Sequence, residues 1–144
     1  MKSKFIYLLP LLLLCVAACV KSKDPSLDPN YSYPLGNFTG KFTVIHKNSW
    51  TSKYDTASAS IKLVLSTSIG FAVSGDTTIH APSYGSFSEN AVNMIFNDVT
   101  YPATGFPKKT HLAGLYAYTY DGMNLQITGN VADTLHYKYV LVKN

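Results

Sequence analysis

From Gly36 to the end of the chain, apolar and polar residues alternate with a period of two. In the stretch GNFTGKFTVIHK, for example, Phe38, Phe42 and Val44 fall on one face, and threonine and lysine fall on the other. Successive side chains of a β-strand point to opposite faces of the sheet, so this period is typical of strands with one buried and one solvated face. No stretch of ten residues follows the 3.6-residue period of an amphipathic helix. The alternation therefore predicts an all-β domain over residues 36–144.

The residue types support the same fold class. The chain has eleven tyrosines and seven phenylalanines but only one glutamate, Glu89. Helix surfaces are normally built from Glu, Lys, Gln, Arg and Ala, whereas aromatic and β-branched residues fit the half-buried surface of a sheet. The composition therefore favours strands over helices.

We predict about eight strands joined by short turns. Such short connections favour antiparallel neighbours, because a parallel pair needs a long crossover. Asp121-Gly122, between two alternating runs, is a strong signal for a tight β-hairpin. The other segments, in order, are GNFTGKFTVIHK, YDTASASIKLVLS, SIGFAVSGD with Ile69 beside Phe71 on one face, TTIHAP as a short strand, SYGSFS, NAVNMIFNDV with Val92 beside Met94, and TLHYKYVLVK.

Two architectures accommodate this many antiparallel strands. A single up-and-down barrel removes the exposed edges of the sheet by closing it. A β-sandwich of two stacked sheets is the alternative, because its strands alternate in the same way. We expect the barrel, with the two-sheet arrangement left open at this point.

The first 18 residues differ in character from the rest of the chain. Two lysines precede an apolar run from Phe5 to Ala18, which is shorter than the roughly 20 apolar residues that span a bilayer. This pattern is typical of a secretory signal peptide. The last three residues of this run and the cysteine after them, Val16-Ala17-Ala18-Cys19, resemble the lipobox of bacterial lipoproteins. The alternative is an ordinary signal peptide in which Cys19 is incidental. The resemblance implies removal of residues 1–18 and a membrane anchor of lipid on Cys19.

Residues 19–35 contain three prolines and no periodicity, which predicts a lipidated cysteine followed by a flexible tether. Cys15 would leave with the signal peptide, so Cys19 would be the single cysteine of the mature chain and no disulfide could form within it. Loss of Lys2 and Lys4 lowers the net charge from +4 to +2. The chain has no arginine and no basic groove, so we do not expect nucleic acid as a partner.

A second resemblance covers residues 36–143. The stretches GNFTGKF, GLYAYTYDGMNLQITG and YKYVLVK look like those of the small lipocalin-like (calycin-type) lipoproteins of Bacteroidota. This resemblance implies a calyx-shaped barrel at the cell envelope. The lipobox resemblance, with Val20 where an inner-membrane retention signal has aspartate, implies the outer membrane in preference to the inner one, with the periplasmic or surface side unresolved.

Tyrosine stripes are the best candidates for a binding site. Tyr116 and Tyr118 form one stripe with Tyr120, and Tyr137 with Tyr139 forms another. Tyrosine joins apolar area to a hydroxyl, so a pocket lined by these rings suits an amphipathic molecule or a sugar ring. The alternative is that the rings fill the barrel core or its outer face. Trp50, in the polar segment HKNSWTSK, is either a contact residue at a barrel mouth or a ring folded back on the barrel.

The remaining polar residues give little sign of catalysis. The alternation of side chains predicts that His80, His111 and His136 lie on the outer face of the strands, and that only His46 shares a face with the apolar residues. A metal site needs several ligands that converge, so we predict no metal site. The carboxylates mostly border turns, where they bond backbone NH groups. We predict no catalytic residues, no cofactor and no enzymatic activity.

Three triplets, Asp55-Thr56-Ala57, Asp76-Thr77-Thr78 and Asp133-Thr134-Leu135, resemble the O-glycosylation motif of Bacteroidota. That resemblance makes Thr56, Thr77 and Thr134 candidate glycan sites. The alternative is that Asp-Thr recurs because both residues suit turns and strand starts.

We therefore expect an envelope lipoprotein with a non-catalytic binding role. The first hypothesis is a carrier of a small apolar or amphipathic ligand in the barrel. The second is a module without a cavity that contacts an envelope protein through loops 48–53 and 100–109, with Trp50, Tyr101 and Phe106 in one patch. The third is a hydrolase with dispersed carboxylates.

Overall fold

All but one of the predicted alternating runs form strands, and each strand pairs antiparallel with the next strand in the chain. The first strand also pairs with the last, from Phe38 opposite Lys143 to His46 opposite Leu135, which closes the sheet. The computed structural model describes residues 32–144, except the side chain of Ala132. The barrel is therefore confirmed and the sandwich excluded. The strands are β1 Gly36–Lys47, β2 Tyr54–Ser66, β3 Gly70–Gly75, β4 Ser83–Glu89, β5 Asn93–Asp98, β6 Gly114–Tyr120, β7 Asn124–Ala132 and β8 Leu135–Lys143.

The two ends of the barrel differ in their connections. One end, here called the turn end, carries the three-residue turns 67–69, 90–92 and 121–123, and the chain enters β1 there. The other, here called the loop end, carries the longer connections 48–53, 76–82 and 99–113 and the short turn between β7 and β8. Loops held on a rigid scaffold are where binding residues concentrate, so the loop end is the place to look for a site.

The predicted hairpin at Asp121-Gly122 is confirmed. Asp121 Oδ1 accepts hydrogen bonds from the backbone NH groups of Met123 (2.9 Å) and Asn124 (2.6 Å). Gly122 has a φ of +97°, a left-handed conformation that glycine adopts without strain. These contacts hold the pKa of Asp121 low, at about 2, with the side-chain bond to Asn124 as the largest cause.

The inward-facing residues of all eight strands form one core. Phe38, Phe42, Leu63, Ile127 and Leu141 are fully buried, and none of them has any exposed surface. Fully burying a side chain of this kind stabilises a fold by roughly 1.5–3 kcal/mol. The alternation thus places the apolar face inside the barrel, as the period of two predicts. Within residues 32–144 no helix has the length and hydrophobicity needed to cross a membrane.

The prediction of a strand at TTIHAP is wrong. Asp76 accepts hydrogen bonds from the backbone and the hydroxyl of Thr78, which turns the chain there. The one β-bridge of this segment among the described residues is parallel and joins His80 to Thr110, which lies in the loop between β5 and β6. Because the segment is not a strand, its side chains do not alternate between faces. His80 therefore lies in the core, 1% exposed, and its predicted position on the outer face is wrong as well.

Two apolar residues that were expected on buried faces are exposed instead. Ile69 is 74% exposed and Val92 is 57% exposed. Both precede the first residue of their strands, β3 and β5, and lie in tight turns. The alternation of side chains begins only where the strand is paired, so the period of two does not apply to them.

Cys15, Cys19, the signal peptide and the tether up to residue 31 lie outside the described residues.

Candidate functional site

Aromatic rings fill the middle of the barrel. The ring centroids of Phe42 and Tyr139 are 4.8 Å apart, and those of Phe71 and Phe96 are 5.0 Å apart. All four residues are at most 2% exposed. An eight-stranded barrel is just wide enough for its side chains or for one small ligand, and here side chains take the space. A ligand therefore has room at an end of the barrel and not at its centre.

The loop end contains a pocket of about 390 Å³. This volume is within the range of about 300–1,000 Å³ that is usual for small-molecule sites. Its walls come from β1, β6, β7 and β8, where these strands reach the loop end, and from the loop between β5 and β6. The lining residues are Val44, Tyr101, Pro107, Lys108, Lys109, Thr110, His111, Ala113, Tyr116, Val131, Leu135 and Tyr137.

His111 is held in this pocket by a buried carboxylate. Its Nδ1–H donates to Asp98 Oδ2 over 2.8 Å, and the side chain of Asp98 is fully buried. Asp98 Oδ1 accepts two further bonds, from the backbone NH (2.8 Å) and the hydroxyl (2.6 Å) of Thr100. An ionised carboxylate can only accept hydrogen bonds, so Nδ1 of the His111 imidazole carries the proton. Nε2 of the same ring is left for other partners.

The hydrogen bonds keep Asp98 charged. Burial raises the pKa of its carboxyl, but the bonds from Thr100, His111 and Ser83 outweigh burial, and the net pKa is lowered. Tyr101 packs edge-on against the His111 ring, with centroids 5.4 Å apart. The imidazole is therefore oriented from two sides.

A second polar chain runs from the pocket into the core. His80 Nδ1–H donates to the carbonyl of Ala81 (2.6 Å), so the Tyr139 hydroxyl donates to His80 Nε2 (2.9 Å). The Tyr139 ring in turn packs edge-on against the ring of Tyr116, which lines the pocket. This chain satisfies polar atoms that would otherwise be costly to bury.

Burial keeps all three groups of this chain neutral. Desolvation lowers the pKa of His80 and raises the pKa of Tyr116 to about 12. Desolvation also raises the pKa of Tyr139 well above its ordinary value. The floor of the pocket therefore carries hydroxyl groups and no charge.

The structure places the candidate tyrosines in different regions. Tyr116 and Tyr137 line the pocket together. Tyr139 lies beneath them in the core and contacts Tyr116 edge-on, with centroids 6.0 Å apart. Tyr118 lies towards the turn end, where its hydroxyl donates to the carbonyl of Asn90 (2.7 Å).

Trp50 lies at the loop end but outside the pocket lining. It is 96% exposed at the tip of the loop between β1 and β2, so its ring is not folded back on the barrel. Phe106, in the loop between β5 and β6, is 99% exposed, and Tyr101 in the same loop is 47% exposed. The rim of the loop end therefore presents large apolar side chains to solvent.

Sequence reasoning missed the pair of Asp98 and His111. Asp98 is the last residue of β5 and His111 lies near the far end of the loop 99–113, so only the fold of that loop brings them together. Asp98 does have the turn role that was expected for the carboxylates, since it accepts from Thr100. An aspartate at the start of a long loop and a histidine near its end were the available signal.

The three candidate glycosylation residues all lie near the loop end. Thr56 and Thr77 are exposed, at the start of β2 and in the loop after β3, and Thr134 is half-buried in the turn before β8. His46, at the end of β1, is exposed and His136 is half-buried. In the part of the chain that the structure describes, no three His, Cys, Asp or Glu side chains come together in a way that could hold a metal ion.

A larger hollow, of about 890 Å³, lies on the outer wall of β1, β2 and β3. Its lining includes Thr39, Lys41, Thr43, Ser60 and Lys62, whose side chains point away from the core. A ligand there would be covered by the barrel on one side only. The smaller pocket at the loop end encloses a ligand more fully and combines aromatic with polar walls, which is the usual composition of a binding site.

The comparisons with known proteins add no relative. No protein-family model, no curated protein and no solved structure matches this chain. The closed antiparallel barrel of eight strands is compatible with a lipocalin-like fold. The evidence for function is therefore the geometry of the loop end.

Proposed function

We propose that the protein binds a small apolar or amphipathic molecule in the pocket at the loop end and does not transform it. The observation that carries this proposal is the pocket of about 390 Å³ with the rings of Tyr101, Tyr116 and Tyr137 in its walls. Tyrosine rings offer rigid apolar area together with a hydroxyl, which suits a molecule with both apolar and polar parts.

The filled core limits what such a ligand can be. Tyr139 is completely buried beneath Tyr116, so a ligand cannot pass below the level of these two rings without displacing them. A ring or a short chain fits above them. A long acyl chain would have to extend out of the pocket.

The resemblances of the N-terminal segment and the barrel favour an envelope lipoprotein of the kind found in Bacteroidota, anchored through Cys19 to the outer membrane. The chain enters β1 at the turn end, opposite the pocket. An anchor on the preceding segment would therefore be attached to the end of the barrel that lies away from the pocket, leaving the loop end accessible.

Native mass spectrometry of the chain from residue 20 onward tests ligand binding. We expect a reproducible extra mass that is lost on denaturation, or saturable uptake from a panel of fatty acids, aromatic acids and sugars. Val131→Trp should abolish this binding by filling the pocket. Val99→Trp is the matched control, since Val131 and Val99 are 64% and 61% exposed and only Val131 lines the pocket. Equal binding by both variants, or none by the unmodified barrel, would reject the proposal.

A second candidate function is contact with an envelope protein. The near-complete exposure of Trp50 and Phe106 at one end favours it, because aromatic residues are enriched where proteins meet. A photo-crosslinking residue at position 50 or 106 should then give a discrete adduct in cells. The same probe at Tyr84, 58% exposed on β4, is the control. Adducts at none of the three sites would argue against this function.

For a hydrolase, the lining of the loop-end pocket offers no carboxylate.

A further inference from the structure

The charged side chains that line the loop-end pocket are of one sign. Its lining includes Lys108, Lys109 and His111 and no aspartate or glutamate. Asp98 stands behind the imidazole, fully buried and bonded to Thr100 and His111, and does not line the pocket. The tyrosine hydroxyl of Tyr116 stays neutral because burial raises its pKa to about 12. The pocket therefore attracts negative charge.

The polar and apolar walls of the pocket come from different elements of the barrel. The lysines and His111 come from the loop between β5 and β6, whereas Val44, Val131 and Leu135 come from β1, β7 and the start of β8. A bound molecule would meet cations on one side and aliphatic groups on the other. That arrangement orients a ligand with one charged end.

The two lysines are not equivalent. Lys109 Nζ donates to the carbonyl of Thr77 in the loop after β3, which uses part of its hydrogen-bonding capacity. Lys108 is exposed, and it makes no hydrogen bond or ion pair within residues 32–144. Lys108 is thus the lysine available to a ligand.

We propose that the ligand carries an anionic oxygen group, a carboxylate or a phosphate, which is bound by Lys108 and by the His111 imidazole that Asp98 holds in place. This inference rests on the proposed binding function and names the chemistry of the ligand. In the protonated imidazole both nitrogens donate, so Nε2–H bonds the anion while Nδ1–H keeps its bond to Asp98. Charge-assisted bonds of this kind are about twice as strong as neutral ones.

Three probes that share a phenylalkyl group test this inference by isothermal titration calorimetry. They are 4-phenylbutanoate, 3-phenylpropyl phosphate and the neutral 4-phenylbutanamide. We expect at least one of the two anions to bind about tenfold or more tightly than the amide. The tighter of the two anions identifies the carboxylate or the phosphate as the group recognised.

Variants locate the recognition. Lys108→Met should weaken anion binding about two- to fivefold, as expected for an exposed charge, and leave amide binding unchanged. His111→Asn keeps a donor to Asp98 but removes Nε2, and should weaken anion binding about tenfold or more. Lys138→Met, on the outer wall of β8, removes the same charge away from the pocket and should change nothing. Lys108 lies in an exposed loop, so its variant remains informative if the His111 variant unfolds.

The outcomes separate the two proposals. If the amide binds as tightly as both anions, or if Lys108→Met and Lys138→Met behave alike, the anionic group is refuted and ligand binding stands. If none of the three probes binds at millimolar concentration, the anionic group is refuted, and both proposals fail if the mass-spectrometry panel also shows no binding.

Discussion

Removal of one buried hydroxyl should measure how far the core depends on its polar chain. In Tyr139→Phe, the ring that packs against Phe42 remains and only the hydroxyl that donates to His80 Nε2 is lost. His80 is 1% exposed and Tyr139 has no exposed surface, so water cannot replace the lost donor. The variant leaves a buried nitrogen without its partner.

The magnitude follows from desolvation. An unsatisfied buried acceptor costs about 1–3 kcal/mol, whereas a hydrogen bond exposed to water contributes far less. We therefore expect Tyr139→Phe to lower the free energy of unfolding by about 1–3 kcal/mol. For a urea m-value of about 2 kcal/mol per molar, the unfolding midpoint falls by about 0.5–1.5 M.

Equilibrium urea unfolding followed by far-UV circular dichroism checks this value. Tyr84→Phe, on an exposed residue of β4, is the control and should stay within about 0.5 kcal/mol of the parent protein. Tyr116→Phe tests whether the hydroxyl of the neighbouring ring contributes to the effect.

A double-mutant cycle with His80→Leu isolates the pair. Replacing both partners of a buried hydrogen bond by apolar groups costs less than orphaning one of them. The double variant should therefore be less destabilised than the sum of the single variants, by more than about 0.5 kcal/mol. Additive effects, or a Tyr139→Phe protein as stable as the Tyr84→Phe control, would refute the reasoning.

Three further predictions concern pH, packing and the anchor. Burial lowers the pKa of His80, so the unfolded chain binds a proton below pH 6.5 that the folded chain does not bind. This group should therefore lower the free energy of unfolding by up to about 1.4 kcal/mol for each pH unit below 6.5. Urea unfolding at pH 7.5 and 5.5 measures the change, and a His80→Leu variant whose stability falls with pH as steeply as that of the parent protein would contradict it. Gly129→Ala should lower the free energy of unfolding by about 1–3 kcal/mol, since its Cβ would lie 2.5 Å from the Tyr116 ring, and an unchanged melting temperature would show that the ring moves aside at no cost. Cys19→Ser should release the protein from the membrane fraction and remove a lipid mass from the N-terminal peptide; a membrane-bound Cys19→Ser protein would count against the lipobox.

The strands and their buried faces were accessible to sequence reasoning because one physical rule determines them. Inward residues such as Phe38 and Phe42 alternate with outward ones wherever a strand is paired in a sheet that has one solvent-exposed face. The alternation does not show whether the sheet closes. That depends on the pairing of β1 with β8, whose partner residues are 89 to 105 positions apart in the sequence, from His46 with Leu135 to Phe38 with Lys143.

Local rules failed where the backbone leaves the sheet. His80 follows a turn and lies in a segment bonded to a distant loop, so its burial depends on the contact with Thr110 and not on parity. The pairing of Asp98 with His111 also depends on how a long loop folds back. The sequence contained these residue types, but their proximity is a property of the tertiary structure.

A chemical-shift map shows where on the barrel a ligand binds. ¹⁵N–¹H spectra of the barrel would be recorded during titration with medium-chain fatty acids, aromatic acids and monosaccharides. We expect at least one class to cause saturable shifts centred on the backbone amides of Ala113, Tyr116 and Leu135 in the loop-end pocket. Shifts centred on Lys41 and Ser60 at the outer-wall hollow, or no saturable shifts with any class, would contradict it.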